Sequence, residues 1–405
     1  WRRKTGRMLR VASMAGIEIA VLAWACSLLA SFASAPWPMM LQDPSHRGEL
    51  GLSLALGAGS PAVKWKYKAA GEVETSAVVG DRFVFCAAGQ EVFALEKSTG
   101  KKAWGFKAKA QVLASGALGG RAFMIGADDK YFYALDEVTG KLLWKFKADE
   151  FTGGATVGEP EGTVYVGSGK KMLHAYFLNG TKSFEFKTKA QVCSTPALDG
   201  SGIYFGDDGG DFYKLDRASG KKVWKTRFPS GIRSPARLES DGIFLSIGDP
   251  DNSKSGEIVR LGYDGDVHWR SDCGGKTRSK CFSCWTAPAI VGDVAIAGCG
   301  LDSSGEGAIW GLDKETGAVR WKVKVDNDCQ TSSPVVVGDA VLIGCIDGVL
   351  RAIGASDGAV RWTFKAGKGI WATSALDTDG TVYIGSHDGY LYALEGTVPS
   401  PKPEL

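Results

Sequence analysis

The segment that decides the fold is Tyr133-Ala134-Leu135-Asp136-Glu137-Val138-Thr139-Gly140-Lys141-Leu142-Leu143-Trp144. An apolar run ends in a Thr-Gly turn, and a second apolar run with a Trp follows within four residues. Glycine adopts the positive φ that a tight hairpin turn requires. The segment therefore predicts two short antiparallel strands joined by a turn.

The same turn and aromatic residue recur along the chain. The turn glycines are Gly100, Gly140, Gly180, Gly220, Gly265, Gly317 and Gly358, at intervals of 40, 40, 40, 45, 52 and 41 residues. Each unit holds four short β signals, which in the second unit are Ala114–Ala117, Arg121–Ile125, Tyr131–Leu135 and Leu142–Lys147. Four-stranded antiparallel units at this period predict the blades of a β-propeller.

The blade count depends on how the two ends of the repeat meet. Seven units are complete, while an eighth has three predicted strands, Ala372–Ala375, Thr381–Ile384 and Tyr390–Leu394. Its missing fourth strand is present at the other end of the repeat, as Val63–Tyr67. We therefore predict an all-β, eight-bladed propeller closed by an N-terminal strand, which leaves no open end to the array.

One aromatic residue per blade follows the turn. The aromatics are Trp65, Trp104, Trp144, Phe184, Trp224, Trp269, Trp321 and Trp362. An indole offers a large apolar surface and one N–H donor. We interpret these residues as structural: each packs against the neighbouring blade, and Phe184 keeps that packing without the donor.

Charge is distributed unevenly between the two parts of the chain. The first 35 residues hold five basic residues and one acidic residue, and the rest hold 43 basic and 44 acidic residues. The body therefore shows no basic excess of the kind that nucleic-acid-binding proteins use. We expect no nucleic-acid partner.

The sequence divides into four regions. Residues 1–35 read as a signal peptide, with a basic start, an apolar run and Ala33-Ser34-Ala35 as a cleavage site. The alternative is an uncleaved signal anchor in which residues 15–33 hold the protein in a membrane. Residues 36–62 form a lead-in segment, residues 63–396 the propeller and residues 397–405 a C-terminal tail. Either form of the leader predicts an exported or membrane-anchored protein.

The repeat resembles that of the pyrroloquinoline-quinone (PQQ) propeller superfamily, on residues 133–144 and on Gly311-Leu312-Asp313-Lys314-Glu315-Thr316-Gly317-Ala318-Val319-Arg320-Trp321. The resemblance covers about residues 37–396. One class of that superfamily consists of quinoprotein dehydrogenases with PQQ and calcium. The other, BamB-type class keeps only the propeller and acts as a scaffold.

The residues favour the non-catalytic class. The enzymes of the superfamily carry adjacent cysteines, whereas here the nearest pair is Cys281-Phe282-Ser283-Cys284. A calcium ion needs six or more oxygen ligands, and no Glu and Asn ligand pair is evident on neighbouring blades. We therefore expect a monomeric protein-interaction scaffold without a cofactor, with PQQ-dependent oxidation or a sensor ectodomain as alternative functions.

The residues that begin the first strands suggest an interaction surface. Aligning the blades places Val73, Leu113, Phe151, Cys193, Ile232, Trp285, Thr331 and Trp371 in a ring, with Arg233 beside it. An apolar patch with a polar rim is typical of a partner surface. From this ring we predict that Phe151, Cys193, Arg233, Trp285, Thr331 and Trp371 bind a protein partner at the channel mouth, or else plug the channel.

The sequence leaves three interpretations of the cysteines open: a disulfide, free thiols or a zinc site. Of the nine cysteines, Cys26 lies in the predicted leader and eight lie in the rest of the chain, an even number that permits disulfides in an exported protein. Cys273 with Cys281 or Cys284 is the candidate disulfide. Free thiols are the second reading, and a zinc site that adds Cys329 to these three is the third.

Overall fold

A computed structural model describes residues 35, 37–50, 59–248, 256–272, 285–300 and 307–396. Eight four-stranded antiparallel sheets make up the fold, which confirms the all-β, eight-bladed propeller. Within these ranges no helix has the length and apolar character needed to cross a membrane. Residues 1–34 of the predicted leader (1–35) and the whole predicted C-terminal tail (397–405) lie outside the described residues.

Each blade runs from a short inner strand to a longer outer strand. The strands of blades one to four are β2 (Val78–Val79), β3 (Phe83–Ala88), β4 (Glu91–Glu96), β5 (Lys102–Lys107); β6 (Ala117–Gly119), β7 (Ala122–Gly126), β8 (Tyr131–Asp136), β9 (Leu142–Lys147); β10 (Thr156–Gly158), β11 (Thr163–Ser168), β12 (Met172–Phe177), β13 (Lys182–Lys187); β14 (Ala197–Leu198), β15 (Gly202–Gly206), β16 (Asp211–Asp216) and β17 (Lys222–Arg227). Those of blades five to eight are β18 (Arg237–Glu239), β19 (Gly242–Ile247), β20 (Glu257–Leu261), β21 (Val267–Ser271); β22 (Ala289–Val291), β23 (Val294–Cys299), β24 (Gly307–Asp313), β25 (Val319–Val325); β26 (Val335–Val337), β27 (Ala340–Gly344), β28 (Val349–Gly354), β29 (Val360–Lys365); β30 (Ala375–Leu376), β31 (Val382–Gly385), β32 (Tyr390–Leu394) and β1 (Val63–Lys68).

The strands of a blade differ in burial, and this explains why some are wholly apolar in sequence and others mix apolar and charged residues. The second strand of blade two, β7, is buried along its whole length, as expected for a strand covered on both faces by neighbouring blades. Its fourth strand, β9, alternates exposed and half-buried residues. Lys145 and Lys147 occupy exposed positions of β9, where their charge protects an outer edge from pairing with another chain.

The ring closes where the sequence predicts. Strand β1 pairs antiparallel with β32, and Trp65 lies opposite Ala393. Blade eight therefore takes three strands from the end of the repeat and one from its beginning.

Contacts between blades centre on the outer-strand aromatics. Six of the tryptophans donate their Nε1–H to a backbone carbonyl of the next blade, over 2.7–3.0 Å: Trp65 to Lys97, Trp104 to Glu137, Trp144 to Leu178, Trp224 to Tyr263, Trp269 to Lys314 and Trp321 to Ala355. The same rings lie against the turn glycines, and Phe184 lies against Gly220. Trp362 is buried on blade seven.

The lead-in segment forms what we call the strap, residues 37–50, across one end of the central channel. Trp37 is fully buried and exchanges two backbone hydrogen bonds with Val79 of blade one. Strap carbonyls accept backbone hydrogen bonds from four further blades, from Leu118, Leu198, Leu238 and Val336. The strap thus ties together the inner strands of blades one, two, four, five and seven.

Candidate functional site

The opposite end of the channel opens into a cavity of about 330 Å³, which we call the mouth. It lies where the inner strands begin, and Met40 of the strap contributes to its lining. The other lining residues are Glu74, Ser76, Leu113, Ser115, Thr152, Gly153, Gly154, Gln191, Cys193, Thr195, Arg233, Pro235, Trp285, Thr331, Trp371 and Thr373. Because strap residue Met40 lies in this lining, the strap forms part of the wall of the mouth.

A ring of hydroxyl groups sets the position of the lining residues. The Thr373 amide donates to Ser76 Oγ over 3.1 Å, the Ser76 amide donates to Ser115 Oγ over 3.1 Å, and the Ser333 amide donates to Thr373 Oγ1 over 3.0 Å. The Gly154 and Ala287 amides donate in the same way to Thr195 and Ser333. Each bond joins one blade to the next, so the residues just before this ring are held at the mouth.

This ring also explains why the inner strands begin later than predicted. In blade two the strand starts at Ala117, whereas the sequence pattern suggested Ala114. Ser115 is engaged with the Ser76 amide of blade one and is not part of a strand ladder. The apolar run therefore begins with residues that contact the neighbouring blade, and pairing within the blade follows.

Five of the six predicted surface residues line the mouth, namely Cys193, Arg233, Trp285, Thr331 and Trp371. The prediction for Phe151 is wrong, because its side chain is fully buried. It packs against Phe132 and Phe146, with ring centroids 5.7 and 5.9 Å away. A Cβ on Gly126 would lie 2.3 Å from Phe151 Cβ, so the ring lies under the blade and Thr152 lines the mouth instead.

Val73 and Ile232 of the predicted ring are also fully buried. Their successors, Glu74 and Arg233, line the mouth. Adjacent side chains alternate in direction along an extended chain. An alignment shifted by one residue therefore replaces a mouth residue with a buried one.

Arg233 carries a positive charge that is neutralised within the mouth. Its guanidinium donates to both carboxylate oxygens of Asp208, over 3.0 and 2.9 Å. The same guanidinium lies 5.2 Å from the centre of the Trp285 ring, in the range of a cation–π contact. The bidentate pair fixes Arg233 in place beside Trp285.

Cys193 is a poor nucleophile in this setting. Burial, and then the negative charge of Asp208, raise the pKa of its thiol to about 11. Its Sγ lies 3.6 Å from Asp208 Oδ2. Because the thiolate is the reactive form, Cys193 stays protonated and unreactive at neutral pH.

Glu74 contributes a carboxyl group to the lining of the mouth, and Asp128 lies close enough to affect its pKa. Burial raises the pKa of Glu74, and the charges of Glu72 and Asp128 add to that rise while His387 opposes it. Burial also raises the pKa of Asp128, followed by the charges of Glu150 and Asp129. These groups give their side of the mouth an acidic character.

Several polar atoms at the mouth are buried without a hydrogen-bond partner in the described chain. They include Trp285 Nε1 and Thr331 Oγ1. Unpaired buried polar groups are costly and uncommon in native proteins. Their grouping here adds hydrogen-bonding capacity for a polar ligand or partner.

The predicted cysteine chemistry lies in part outside the described residues. Cys273, Cys281 and Cys284 belong to that undescribed part of the sequence. In the described chain Cys329 forms a disulfide with Cys345, and Cys299 is disulfide-bonded as well. The disulfide removes Cys329 from the four-cysteine zinc alternative, and the sequence pattern gave no signal for its pairing with Cys345.

The described mouth residues are a poor match for PQQ, a planar tricarboxylate. The Arg233 guanidinium is already neutralised by Asp208. The carboxyl groups of Glu74 and Asp128 lie nearby and would repel an anion when ionised.

Comparison with known proteins gives matches at the level of sequence and of fold. The sequence profile of the family described as outer membrane protein assembly factor BamB matches residues 128–241 and 213–396. The outer membrane protein assembly factor BamB of Shewanella oneidensis is 24% identical over 311 residues, which cover 76% of this chain and 67% of that protein.

Two solved structures are similar to the propeller. Quinohemoprotein alcohol dehydrogenase from Comamonas testosteroni superposes with a TM-score of 0.77 at 15% identity, over 95% of this chain and 86% of that one. BamB from Moraxella catarrhalis superposes with a TM-score of 0.66 at 17% identity, over 85% of this chain and 99% of that one. At these identities the structural similarity shows a shared fold.

Proposed function

Because the chain belongs to the family of outer membrane protein assembly factor BamB, we propose that it is a non-catalytic scaffold that binds another protein through the mouth. The family is described as an outer membrane protein assembly factor, so the scaffold would act in the assembly of outer-membrane proteins. It would do so on the exported side of a membrane. We further propose that it works as a single copy of the propeller and without a cofactor.

The observation that carries the proposal is the form of the mouth. Its lining includes Trp371, a large apolar side chain that is 36% exposed, and Arg233, which is held in place by Asp208. Tryptophan and arginine are the residues that most often dominate the energy of protein interfaces. A partner side chain inserted into the mouth would meet apolar side chains such as Trp285 and buried polar atoms without a hydrogen-bond partner, such as Thr331 Oγ1.

Non-catalytic action is supported by the chemistry of the same residues. Arg233 is held by Asp208, and the high pKa of Cys193 keeps its thiol protonated. The described lining thus offers binding groups but no activated nucleophile. The superposition with a quinohemoprotein dehydrogenase supports the fold and does not extend to its reaction.

Site-specific photo-cross-linking in native membranes tests the proposal. A photoreactive amino acid is placed at position 371 in the mouth and, as the matched control, at position 143. Leu143 is an apolar side chain on the outer strand of blade two and is 52% exposed. We expect one defined envelope protein to cross-link from position 371 and not from 143, and R233A to reduce the yield. Equal yields from both positions would contradict a partner surface at the mouth.

A second measurement addresses the enzyme alternative. The purified protein is titrated with PQQ and calcium while visible absorbance is recorded. Submicromolar binding with a new visible band would overturn the cofactor-free scaffold. We expect no saturable change.

A further inference from the structure

A separate cluster of ligand-type side chains lies where blade eight meets blade one. Val73 packs its side chain against Gly385, and its amide donates to the Ser386 carbonyl over 3.2 Å. Its two neighbours, Glu72 and Glu74, lie on the side away from this packing and are exposed and half-buried. Both carboxylates therefore reach the same region next to the β31–β32 turn.

His387 of that turn lies between the two carboxylates. Its amide donates to the Gly369 carbonyl over 2.9 Å, and its ring is 4.5 Å from the centre of the Trp371 ring. The backbone bond and the adjacent, tilted indole limit the orientations open to the imidazole. His387 is thus held with one ring nitrogen toward each glutamate.

Neither ring nitrogen makes a good hydrogen bond to its glutamate. Nδ1 is 3.6 Å from Glu72 Oε2, and Nε2 is 3.5 Å from Glu74 Oε1. Nε2 is buried and has no hydrogen-bond partner in the described chain. An ion that contacts both the buried ring nitrogen and the facing carboxylate oxygen could bind to both of them.

We propose that Glu72, Glu74 and His387 form a binding site for a divalent transition-metal ion of the Zn²⁺ class. One ligand atom from each residue lies within 4.8 Å of the other two. Tetrahedral zinc with bonds of about 2.1 Å separates its ligand atoms by roughly 3.4 Å, so small side-chain movements would complete the site. One imidazole with carboxylates suits zinc and its neighbours in the first transition row.

A second histidine, His174, also lies beside a glutamate, but both of its ring nitrogens already have hydrogen-bond partners. His174 is bonded on both sides, with Nδ1 2.9 Å from Glu185 Oε1 and Nε2 2.9 Å from Ser168 Oγ. Both of its nitrogens are occupied, and it faces one carboxylate. It is therefore the natural internal control for the metal site.

The position of the site gives it a role beyond that of a structural ion. Glu74 and Trp371 also line the mouth, so an ion held there would lie at its edge. Three protein ligands leave a tetrahedral zinc with one open position. That position would accept an oxygen or nitrogen atom from whatever enters the mouth. Binding of the ion would displace the ammonium group of Lys368 from Glu72, where Nζ is now 3.9 Å from Oε1.

Metal titration of the full chain tests this site without reference to a protein partner. The oxidised protein, freed of metal, is titrated with Zn²⁺ by calorimetry and with Co²⁺ by absorbance. We expect one saturable site, and a Co²⁺ spectrum without the near-ultraviolet charge-transfer bands that thiolate ligands produce. That spectrum separates the proposed site from binding by cysteines.

Three conservative variants complete the experiment. H387Q and E74Q should each weaken Zn²⁺ binding at least tenfold, whereas E185Q should leave it unchanged. Circular dichroism establishes that each variant is folded, and E74Q, whose side chain is partly exposed, decides the matter if H387Q is not. Absence of saturable binding, thiolate bands, or equal affinity in E74Q and the parent would overturn the site. None of these results bears on whether the mouth binds a protein, because the cross-linking experiment detects that separately.

Discussion

The indole of Trp104 lies directly against Gly140 of the next blade. A Cβ on Gly140 would come within 2.6 Å of the ring, and the Trp104 Nε1–H donates to the Glu137 carbonyl over 2.9 Å. Gly140 also has a φ of +69°, a conformation that side chains with a Cβ rarely adopt. One glycine thus satisfies both the turn of its own blade and the aromatic contact of the blade before it.

Replacing this glycine separates the two demands. G140A should destabilise the protein by about 2–4 kcal/mol, since it adds overpacking against Trp104 to the backbone strain of positive φ. G89A is the matched control, because Gly89 has a φ of +58° and a Cβ there would meet nothing within 4 Å. G89A should cost about 1 kcal/mol. Chemical denaturation of both variants measures the difference, and equal losses would refute the contact's contribution.

The hydrogen bond of the same tryptophan is a second, smaller contribution. W104F keeps most of the ring packing but leaves the Glu137 carbonyl without its donor. We expect a loss of about 1 kcal/mol in the free energy of unfolding, the usual net value of one such bond. Phe184, which occupies the same position in blade three, shows that a blade folds with packing alone. A loss above about 3 kcal/mol would mean that W104F also disturbs the packing.

His46 of the strap should make stability fall in mild acid. Its ring is buried, with Nδ1 3.0 Å from the Ala236 carbonyl, and burial lowers its pKa to about 4. The unfolded chain, with the ordinary pKa of about 6.5, binds the proton more readily, so stability is full above that pH and declines toward pH 4. From pH 7 to pH 5 the decline from this group is about 2 kcal/mol.

H46Q isolates that contribution. Denaturation at the two pH values should show a smaller decline for H46Q than for the parent, by about 2 kcal/mol. Parallel declines would show that the strap histidine is not the group responsible.

The Cys329–Cys345 disulfide should stabilise blade seven. It joins residues 16 apart, and a loop of that length corresponds to about 3 kcal/mol of stabilisation. The double variant C329S/C345S should lose about that amount under oxidising conditions. C193S, which alters a thiol that forms no disulfide, should change stability by less than about 1 kcal/mol. Similar losses in both variants would argue against the cross-link.

The period of glycine and tryptophan was enough to predict the fold, the blade number and the closing strand. The reason is physical: Gly140 and its equivalents are required by turn geometry and by packing together, so the pattern persists through every insertion. Strand ends were predicted less well, because the Ser115 hydroxyl is used between blades and not within one.

The candidate site was predicted in part. Trp371 and Arg233 lie in the lining of the mouth, and their binding of a partner stays a prediction, whereas a one-residue shift put Phe151 there in place of Thr152. No spacing rule could have joined Glu74 to His387, which are distant in sequence and meet because blade eight closes on blade one. The strap was recognised as a separate segment, yet its hydrogen bonds to five blades depend on the finished ring.

Strand β1 and the last residues of the strap precede the blades in the sequence but bond to the last two of them. Strand β1 pairs with β32, whose final residue is Leu394, and the strap carbonyl of Gly48 bonds to Val336 of blade seven. In a chain that is synthesised from its amino end, β1 and Gly48 therefore stay without these partners until blades seven and eight have been made. The ring can therefore close only when the whole repeat is present. A prematurely ended chain would retain an unpaired blade edge that quality-control proteases and chaperones can recognise.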